Sequence, residues 1–272
     1  MSRVITIRAS SIADLFDCAY RFEGRQILGM RSPASRAMVL GTAVHAGTAA
    51  FDQARMDGKP IKPYEAAGIV VDKLRDPGED VAASDKDMTP KEAEAVGLAL
   101  HTKYCTQISP RYTFQAVELD LGALDIEVPE QGVTVRITGH LDRSRVSRVP
   151  DGHALRIADI KTGGKAATKD GVAETRGKGL QIGIYQILAE QVMGEPVDPV
   201  GEIIGLCTSK SAAVGVSEIP GPKQQILPTG GEPSLIEIAA NMLRTGYFPP
   251  NPRSMTCGKR YCPRWDRCPY HE

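Results

Sequence analysis

The stretch from Gly139 to Lys161 constrains the fold more than any other part of the chain. Two runs with strand character, Thr134–Val149 and Ala154–Lys161, flank a Pro-Asp-Gly turn signal within it. Strand-like runs on either side of such a turn are typical of a β-hairpin. We therefore expect an antiparallel hairpin at the centre of the molecule.

Charged side chains share one face of the second strand of this hairpin. The two-residue period of a strand puts Asp159 and Lys161 on one side, and points Ala158 and Ile160 toward a core on the other. Asp142, on the partner strand, can face the same pair. Carboxylates suit Mg²⁺ or Mn²⁺, and a lysine can orient a water or offset charge on a phosphate. The pattern indicates a metal site, or alternatively a surface cluster of salt bridges.

The length and charge of the chain limit the number of domains and the kinds of surface that it can form. With 272 residues, the chain can form one large domain or two small ones. Lys and Arg total 33, as do Asp and Glu, so a surface for nucleic acid has to be a local patch. No run has the length of a membrane span and no signal-peptide core is found, so we expect a cytoplasmic protein. In that compartment cysteines are expected as ligands or buried thiols.

Helices are predicted on the N-terminal side of the hairpin. A helix-start signal at Ser10 opens a helix that contains Cys18, and a helix rich in small residues follows Pro33. On the latter, Gly41 and His45 lie one turn apart, and His45 is either a packing residue or a ligand. The remaining predictions here are a helix over 61–75, an acidic loop over 76–87, and a helix from Thr89 to about Gln107.

Alternating polar and apolar residues begin at Tyr112 and predict an antiparallel meander that leads into the hairpin. Glu118, on its first strand, either reaches the metal site or faces solvent. After the hairpin we expect a helix that starts at Gln181, with Tyr185 one turn later, then strands at 200–208 and 214–219 and a helix at 234–245. Helices on both sides of a strand-rich centre indicate an α/β or α+β domain with a mixed sheet.

A glycine-rich loop with several basic residues separates the hairpin from the helix at Gln181. These basic residues, and the arginines near Cys268, can follow a phosphate backbone or face solvent. The loop residues concerned are Lys165, Lys169, Arg176 and Lys178.

Three cysteines, Cys257, Cys262 and Cys268, fall within twelve residues of the C-terminal tail. Clustered cysteines in a tail with little core indicate a metal site, which needs a fourth ligand. His271 would make the site local, whereas Cys18 would tie the two ends of the chain together. Spacing leaves these choices open, together with Cys105 and Cys207.

Taken together, these motifs resemble the PD-(D/E)XK nucleases, and in particular their RecB-like branch. They occur in the order of that family. The matching residues are Gly41 to His45 as G-x-x-x-H, Asp142 with Asp159-Ile160-Lys161 as D…(D/E)-x-K, and Gln181 to Tyr185 as Q-x-x-x-Y.

Cys18 with the three C-terminal cysteines resembles the iron–sulfur members of the branch, such as the AddB nuclease domain and the CRISPR-associated exonucleases. Two features depart from the pattern. The last three cysteines are spaced x4 and x5 rather than x2 and x5, and Asp159 replaces the more frequent Glu. Zn²⁺ is therefore an alternative to a [4Fe–4S] cluster. Cys105 and Cys207 have no place in the pattern and are expected as buried thiols.

The resemblance implies a restriction-endonuclease-like fold, with a mixed sheet flanked by helices and the chain ends joined by a four-cysteine cluster. It implies a single nuclease domain over 1–272, with a helical part at 1–110, a sheet core at 111–220 and a helix and cysteine tail at 221–272. The implied activity is a Mg²⁺- or Mn²⁺-dependent exonuclease on single- or double-stranded DNA ends. The implied settings are recombination, repair, phage DNA processing or spacer acquisition, with a partner protein. No phosphate-binding loop of a motor is present.

The resemblance also assigns roles to the motif residues. Lys161 would orient the attacking water, and Gln181 and Tyr185 would contact DNA or support the site. The metal would be held by the side chains of His45, Asp142 and Asp159 and by the carbonyl of Ile160. The alternatives are a non-catalytic module that binds DNA ends or a partner, and a zinc-binding regulatory protein.

Overall fold

The computed structural model describes residues 3–78, 81, 88–129, 132–227 and 230–271. Most of the acidic loop predicted at 76–87 lies outside these residues. The α-helices are α1 Ile12–Asp17, α2 Ala19–Phe22, α3 Arg36–Met56, α4 Pro63–Arg75, α5 Pro90–Lys103, α6 Gly179–Met193, α7 Pro222–Ile226 and α8 Leu235–Thr245. The strands are β1 Arg3–Arg8, β2 Phe114–Val128, β3 Val133–Val149, β4 Gly152–Gly163, β5 Val200–Cys207 and β6 Val214–Pro220. Within the described residues, no helix combines the length and apolar character needed to cross a bilayer.

One mixed sheet contains all six of these strands. Its order is β1-β3-β4-β5-β6, and β2 also pairs with β3. The β1–β3 and β4–β5 pairs are parallel and the others are antiparallel. The expected hairpin of β3 and β4 and the expected mixed sheet flanked by helices are therefore confirmed.

β3 has two different neighbours along one edge. Its residues 133–138 pair with β1 and its residues 143–149 pair with β4, so residues 139–142 pair with neither strand. β4 leaves β3 after Ala158 and continues beside β5. We call this point, residues 139–142 of β3 with residues 159–161 of β4, the strand fork. It opens the sheet at its centre.

Helices cover both faces of the sheet. On β4 and β5, Ile157 and Ile203 belong to a core with α1, α2, α6, α7 and α8. Their neighbours Ala158, Ile160 and Ile204 belong to a second core with α3, α4 and α5. This alternation confirms the prediction that Ala158 and Ile160 face a core. The same alternation turns the side chain of Asp159, which lies between them, toward α6.

The first helical segment differs from the prediction at a position that matters. Cys18 was expected inside a continuous helix, but it lies between α1 and α2 with extended backbone (φ −147°, ψ 94°). Two hydrogen bonds accompany this break. The Cys18 N–H donates to the Asp14 carbonyl in the last turn of α1, and the Tyr20 N–H donates to Pro249 O of the C-terminal tail at 3.3 Å. Cys18 is consequently half-buried rather than a core residue.

Two strand assignments also differ. β1 was not predicted, although Ile7 is buried and Val4 exposed as strand alternation requires. The two runs expected as separate strands of the meander form one strand, β2, with a register shift between Asp120 and Ala123. A bulge thus takes the place of a turn, because both halves pair with the same long β3.

Candidate active site

Asp142 lies at the strand fork. Its Oδ2 accepts a hydrogen bond from the backbone N–H of Ile160 at 2.8 Å. A side chain thus occupies the place of the backbone bond that is lost where β3 and β4 separate. This contact fixes the Asp142 carboxylate over the opening.

α3 brings His45 to the same carboxylate. A Cβ atom at Gly41 would lie 2.4 Å from Thr162 Oγ1, so only a residue without a side chain lets α3 approach β4 this closely. One turn further along α3, His45 Nδ1 lies 3.9 Å from Asp142 Oδ2. The four-residue spacing therefore has two consequences. Gly41 lets α3 pack closely against β4, and His45, one turn later, lies beside Asp142.

Glu118 completes a group of possible ligands. Its neighbours on β2 pair with the residues that flank Asp142, so Glu118 lies opposite Asp142 across the strands. Its φ of +49° is in the left-handed region, which residues with side chains rarely adopt. Its two oxygens lie 2.9 Å from Arg143 Nη1 and 3.1 Å from His140 Nε2. Ligand atoms of His45, Glu118 and Asp142 all lie within 4.8 Å of one another.

A buried ionic network supports Glu118 from beneath. Arg143 is fully buried, and its Nε donates to Asp52 Oδ2 at 2.7 Å. Asp52 also accepts from the hydroxyls of Tyr104 and Ser109, both at 2.5 Å. Burial holds the pKa of Tyr104 well above its usual value, so its hydroxyl remains a donor. No sequence motif pointed to Asp52 or Arg143.

Asp159 faces α6 and is 1% exposed. Its Oδ1 accepts from Gln181 Nε2 at 3.1 Å, and Gln181 Nε2 also lies 2.7 Å from Tyr185 Oη. Its Oδ2 forms an ion pair with Lys161 Nζ at 2.7 Å. Burial, opposed by Lys161 and reinforced by Asp142, raises the pKa of Asp159 to about 7. This carboxyl group can therefore hold a proton near neutral pH.

The group that the structure brings together differs in part from the predicted ligand set. His45 and Asp142 belong to both, whereas Glu118 joins them and Asp159 is turned toward α6. The sequence left open whether Glu118 reaches the metal site or faces solvent, and its orientation depends on the unusual backbone at this position. Two carboxylates and an imidazole are ligands that fit Mg²⁺ or Mn²⁺. The Ile160 carbonyl remains a prediction.

Of the basic loop residues, Lys178 lies nearest to this site. It is the N-cap residue of α6, one turn before Gln181. Partial burial, and then the charge of Lys161, lower the pKa of Lys178, while Asp159 opposes this change. The other three residues of the loop are exposed: Lys165, Lys169 and Arg176.

The expectation that the arginines near Cys268 form a positive patch is wrong for Arg264. This side chain is buried, pairs with Glu23 Oε2 at 2.7 Å and lies 4.0 Å from the centre of the Tyr20 ring. Its charge is already neutralised by Glu23. Arg264 therefore attaches the tail to the first helices.

The tail folds back over the break between α1 and α2. Cys18 and the three tail cysteines line one cavity, and His271 lines it as well. Removal from water, and then the proximity of the other three cysteines, raise the pKa of Cys257. Cys105 and Cys207 lie elsewhere and are buried, as expected. All six cysteines are free thiols in the structure.

Comparison with known proteins agrees with this geometry. A family model described as the PD-(D/E)XK nuclease superfamily matches residues 6–269. The fold is similar to the crystal structure of a protein from Eubacterium rectale described as a "Putative exonuclease", with a TM-score of 0.50 and 14% identity, over 90% of this chain and 84% of the other. No curated protein matches. Because the family model spans nearly the whole chain and its motif residues meet at the strand fork, the chain belongs to the PD-(D/E)XK nuclease superfamily.

Proposed function

We propose that this nuclease is a metal-dependent deoxyribonuclease that hydrolyses phosphodiester bonds at DNA ends. The observation that carries the proposal is the convergence of His45, Glu118 and Asp142 beside the Asp159–Lys161 pair. A cation-binding group next to a lysine suits phosphodiester hydrolysis, because both can offset the negative charge that develops on the phosphate.

The metal ligands in this proposal are His45, Asp142 and Glu118, joined by Asp159 when it is ionised and by the carbonyl of Ile160. A bound Mg²⁺ or Mn²⁺ supplies charge stabilisation at the phosphate and makes a coordinated water more acidic. The imidazole of His45 favours Mn²⁺ over Mg²⁺. Because burial raises the pKa of Asp159 to about 7, Asp159 would have to release its proton in order to act as a ligand near neutral pH.

The other side chains act by orientation and charge. Lys161, held 2.7 Å from Asp159, orients the attacking water and offsets negative charge on the phosphate. Gln181 fixes Asp159, and Tyr185 in turn fixes Gln181. Lys178, at the start of α6, contributes a second positive charge to the path of the strand.

DNA is the substrate in this proposal, and the exposed Lys165, Lys169 and Arg176 extend the positive path away from the site. Action at ends, rather than within a strand, is inferred from the RecB-like motifs. Recombination, repair, phage DNA processing and CRISPR spacer acquisition all involve such ends.

We also infer that Cys18, Cys257, Cys262 and Cys268 hold a metal group. The four cysteines line one cavity, and cysteine thiolates are the ligands of a [4Fe–4S] cluster and also of Zn²⁺. In this role the cysteines would join the two ends of a single nuclease domain.

The decisive experiment is digestion of end-labelled single- and double-stranded DNA, linear or covalently closed, with Mg²⁺, Mn²⁺ or EDTA. We expect metal-dependent release of short products from linear DNA alone. Lys161→Ala should lower the rate by roughly 100-fold or more, the scale of a lost group in proton transfer.

Lys91→Ala is the matched control, because Lys91 is exposed on α5 away from the strand fork. Its rate should equal that of the wild type. Cutting of closed circles would reject action at ends. DNA binding without cutting under any metal condition would instead support the non-catalytic module.

A further inference from the structure

A cavity of about 520 Å³ opens beside the strand fork, and no step proposed above uses it. Its volume is in the range of sites for small organic ligands. The lining is mixed, with one cation, one carboxylate, hydroxyl groups and aromatic rings. The residues that provide these groups are Arg8, Ser10, Asp120, Thr138, His140 and Tyr185.

The walls of this cavity depend on local departures from regular structure. The register shift between Asp120 and Ala123 displaces β2, and Asp120 Oδ1 accepts from the N–H of Gly122, whose φ is +64°. On the floor, a Cβ atom at Gly139 would lie 2.7 Å from Leu188 Cδ1. The bulge and the glycine together shape this space.

Two walls of the cavity connect directly to the catalytic residues. His140 Nε2 lies 3.1 Å from Glu118 Oε2. Tyr185 Oη lies 2.7 Å from Gln181 Nε2, which donates to Asp159. A molecule in the cavity would therefore contact His140, which is bonded to Glu118, and Tyr185, which is linked to Asp159 through Gln181.

The charge of the cavity favours an anionic group on the β1 side. Arg8, the last residue of β1, is exposed, and its guanidinium makes no hydrogen bond or ion pair to any described residue. Asp120, the carboxylate of the lining, is engaged with Gly122 on β2. A guanidinium that no described side chain engages is well suited to a phosphate.

We propose that this cavity binds the nucleotide next to the scissile phosphodiester, and that Arg8 contacts the phosphate of that nucleotide. The proposal rests on the function proposed above, since it assumes a nucleic-acid strand at the strand fork. It extends that function because it locates the part of the strand that does not react.

The test compares Arg8→Gln with Arg148→Gln, an exposed arginine at the far end of β3 that does not line the cavity. Binding of a fluorescein-labelled single-stranded oligonucleotide is measured by anisotropy in EDTA at several salt concentrations. Arg8→Gln should weaken binding by roughly fivefold or more. Loss of one phosphate contact should lower the slope against log salt by about 0.7.

A second variant, Ala123→Trp, fills the cavity without changing charge, at an exposed position that should tolerate the change. It should also weaken oligonucleotide binding, while hydrolysis of bis(p-nitrophenyl) phosphate, which has no neighbouring nucleotide, stays at the wild-type rate. Oligonucleotide affinities that match Arg148→Gln in both variants would overturn the proposal. A wild-type protein that binds but does not cut would reject the nuclease function alone.

Discussion

Asp52 and Arg143 are opposite charges that have no access to water. Removing two charges from water is costly, and their attraction repays that cost only while every donor and acceptor is satisfied. Here Asp52 has three donors, and Arg143 reaches on to Glu118. The pair therefore fixes the residue whose backbone is strained, next to the proposed metal ligands.

We expect Asp52→Asn to lower the free energy of unfolding by about 3–5 kcal/mol, because it leaves Arg143 buried with a weaker partner. Denaturant unfolding followed by circular dichroism measures this. The control is Asp125→Asn, which breaks the exposed pair with Arg136 and should change stability little. Equal effects in the two variants would contradict a supporting role for the buried pair.

The stability of the protein should depend on pH through Asp159, because burial raises the pKa of this residue to about 7 in the folded protein. The folded state then binds a proton between about pH 4 and pH 7 that the unfolded state has released. This contribution to stability is complete below pH 4 and is lost as the pH rises through 7. Asp159→Asn should therefore stabilise the metal-free protein at pH 8, by about 1–3 kcal/mol, and hardly at all at pH 4.

Thermal unfolding in EDTA at several pH values measures this difference, with Asp151→Asn in the exposed turn as the control. Saturating Mn²⁺ should reduce or reverse the difference at pH 8, since the cation binds more tightly to the protein that keeps this additional carboxylate. A constant difference between Asp159→Asn and wild type across the pH range would show that folding does not raise the pKa of Asp159.

For individual residues, sequence patterns predicted which side chains lie on the same side of a strand or helix, such as Asp159 with Lys161 and Gln181 with Tyr185. They could not place Glu118, because its side chain is directed by a left-handed backbone that β alternation does not reveal. The Asp52–Arg143 pair was not predicted either, because it joins residues far apart in the chain.

The close approach of α3 to β4 shows how one element can position another. It depends on Gly41, where an added Cβ would meet the Thr162 hydroxyl at 2.4 Å. His45 lies one turn further along α3, so a displaced helix carries His45 away from Asp142.

Gly41→Ala should therefore weaken Mn²⁺ binding, measured by calorimetry, by roughly tenfold, a cost of overpacking of about 1–2 kcal/mol. The double variant Gly41→Ala/Thr162→Ala removes the clashing atom and should restore most of the affinity. If the double variant binds no better than Gly41→Ala, the contact with Thr162 is not the reason for the glycine.

Among the elements, long helices with clear start signals and the central hairpin were predictable. The helix predicted from Thr89 is present as α5, and a capping box of Thr89 and Glu92 stabilises its start. The break at Cys18 was not predictable, because apolar residues continue at helical spacing through it and the tail residues that stabilise it are distant in sequence. β1 is short and gains its stability from pairing with β3, which local sequence does not show.

The two ends of the molecule are held together by more than cysteines. Asp17 accepts from Asn251 through its carbonyl at 2.9 Å and from Ser254 through its carboxylate at 2.5 Å. Arg264 pairs with Glu23. These bonds bring Cys18 to the tail cysteines without a metal, so any metal group adds to an attachment that already exists.

Cys262→Ser should lower the free energy of unfolding by about 2–4 kcal/mol, the usual scale for losing a link across a long segment. It should also remove iron or zinc, measured by elemental analysis after anaerobic purification. Cys207→Ser, away from the cavity, should leave the metal content unchanged. Full metal content in Cys262→Ser would exclude this cysteine as a ligand.

The separation of β3 from β4 leaves the Ile160 amide bonded to a carboxylate, at 2.8 Å, rather than to a neighbouring strand. An amide proton shared with a carboxylate responds to the electron density on that oxygen. Its nuclear magnetic resonance frequency should therefore move when Asp142 accepts a proton, binds a cation or meets a phosphate. The opening in the sheet thus provides a spectroscopic reporter, at the reacting position itself, that needs no added label other than nitrogen-15.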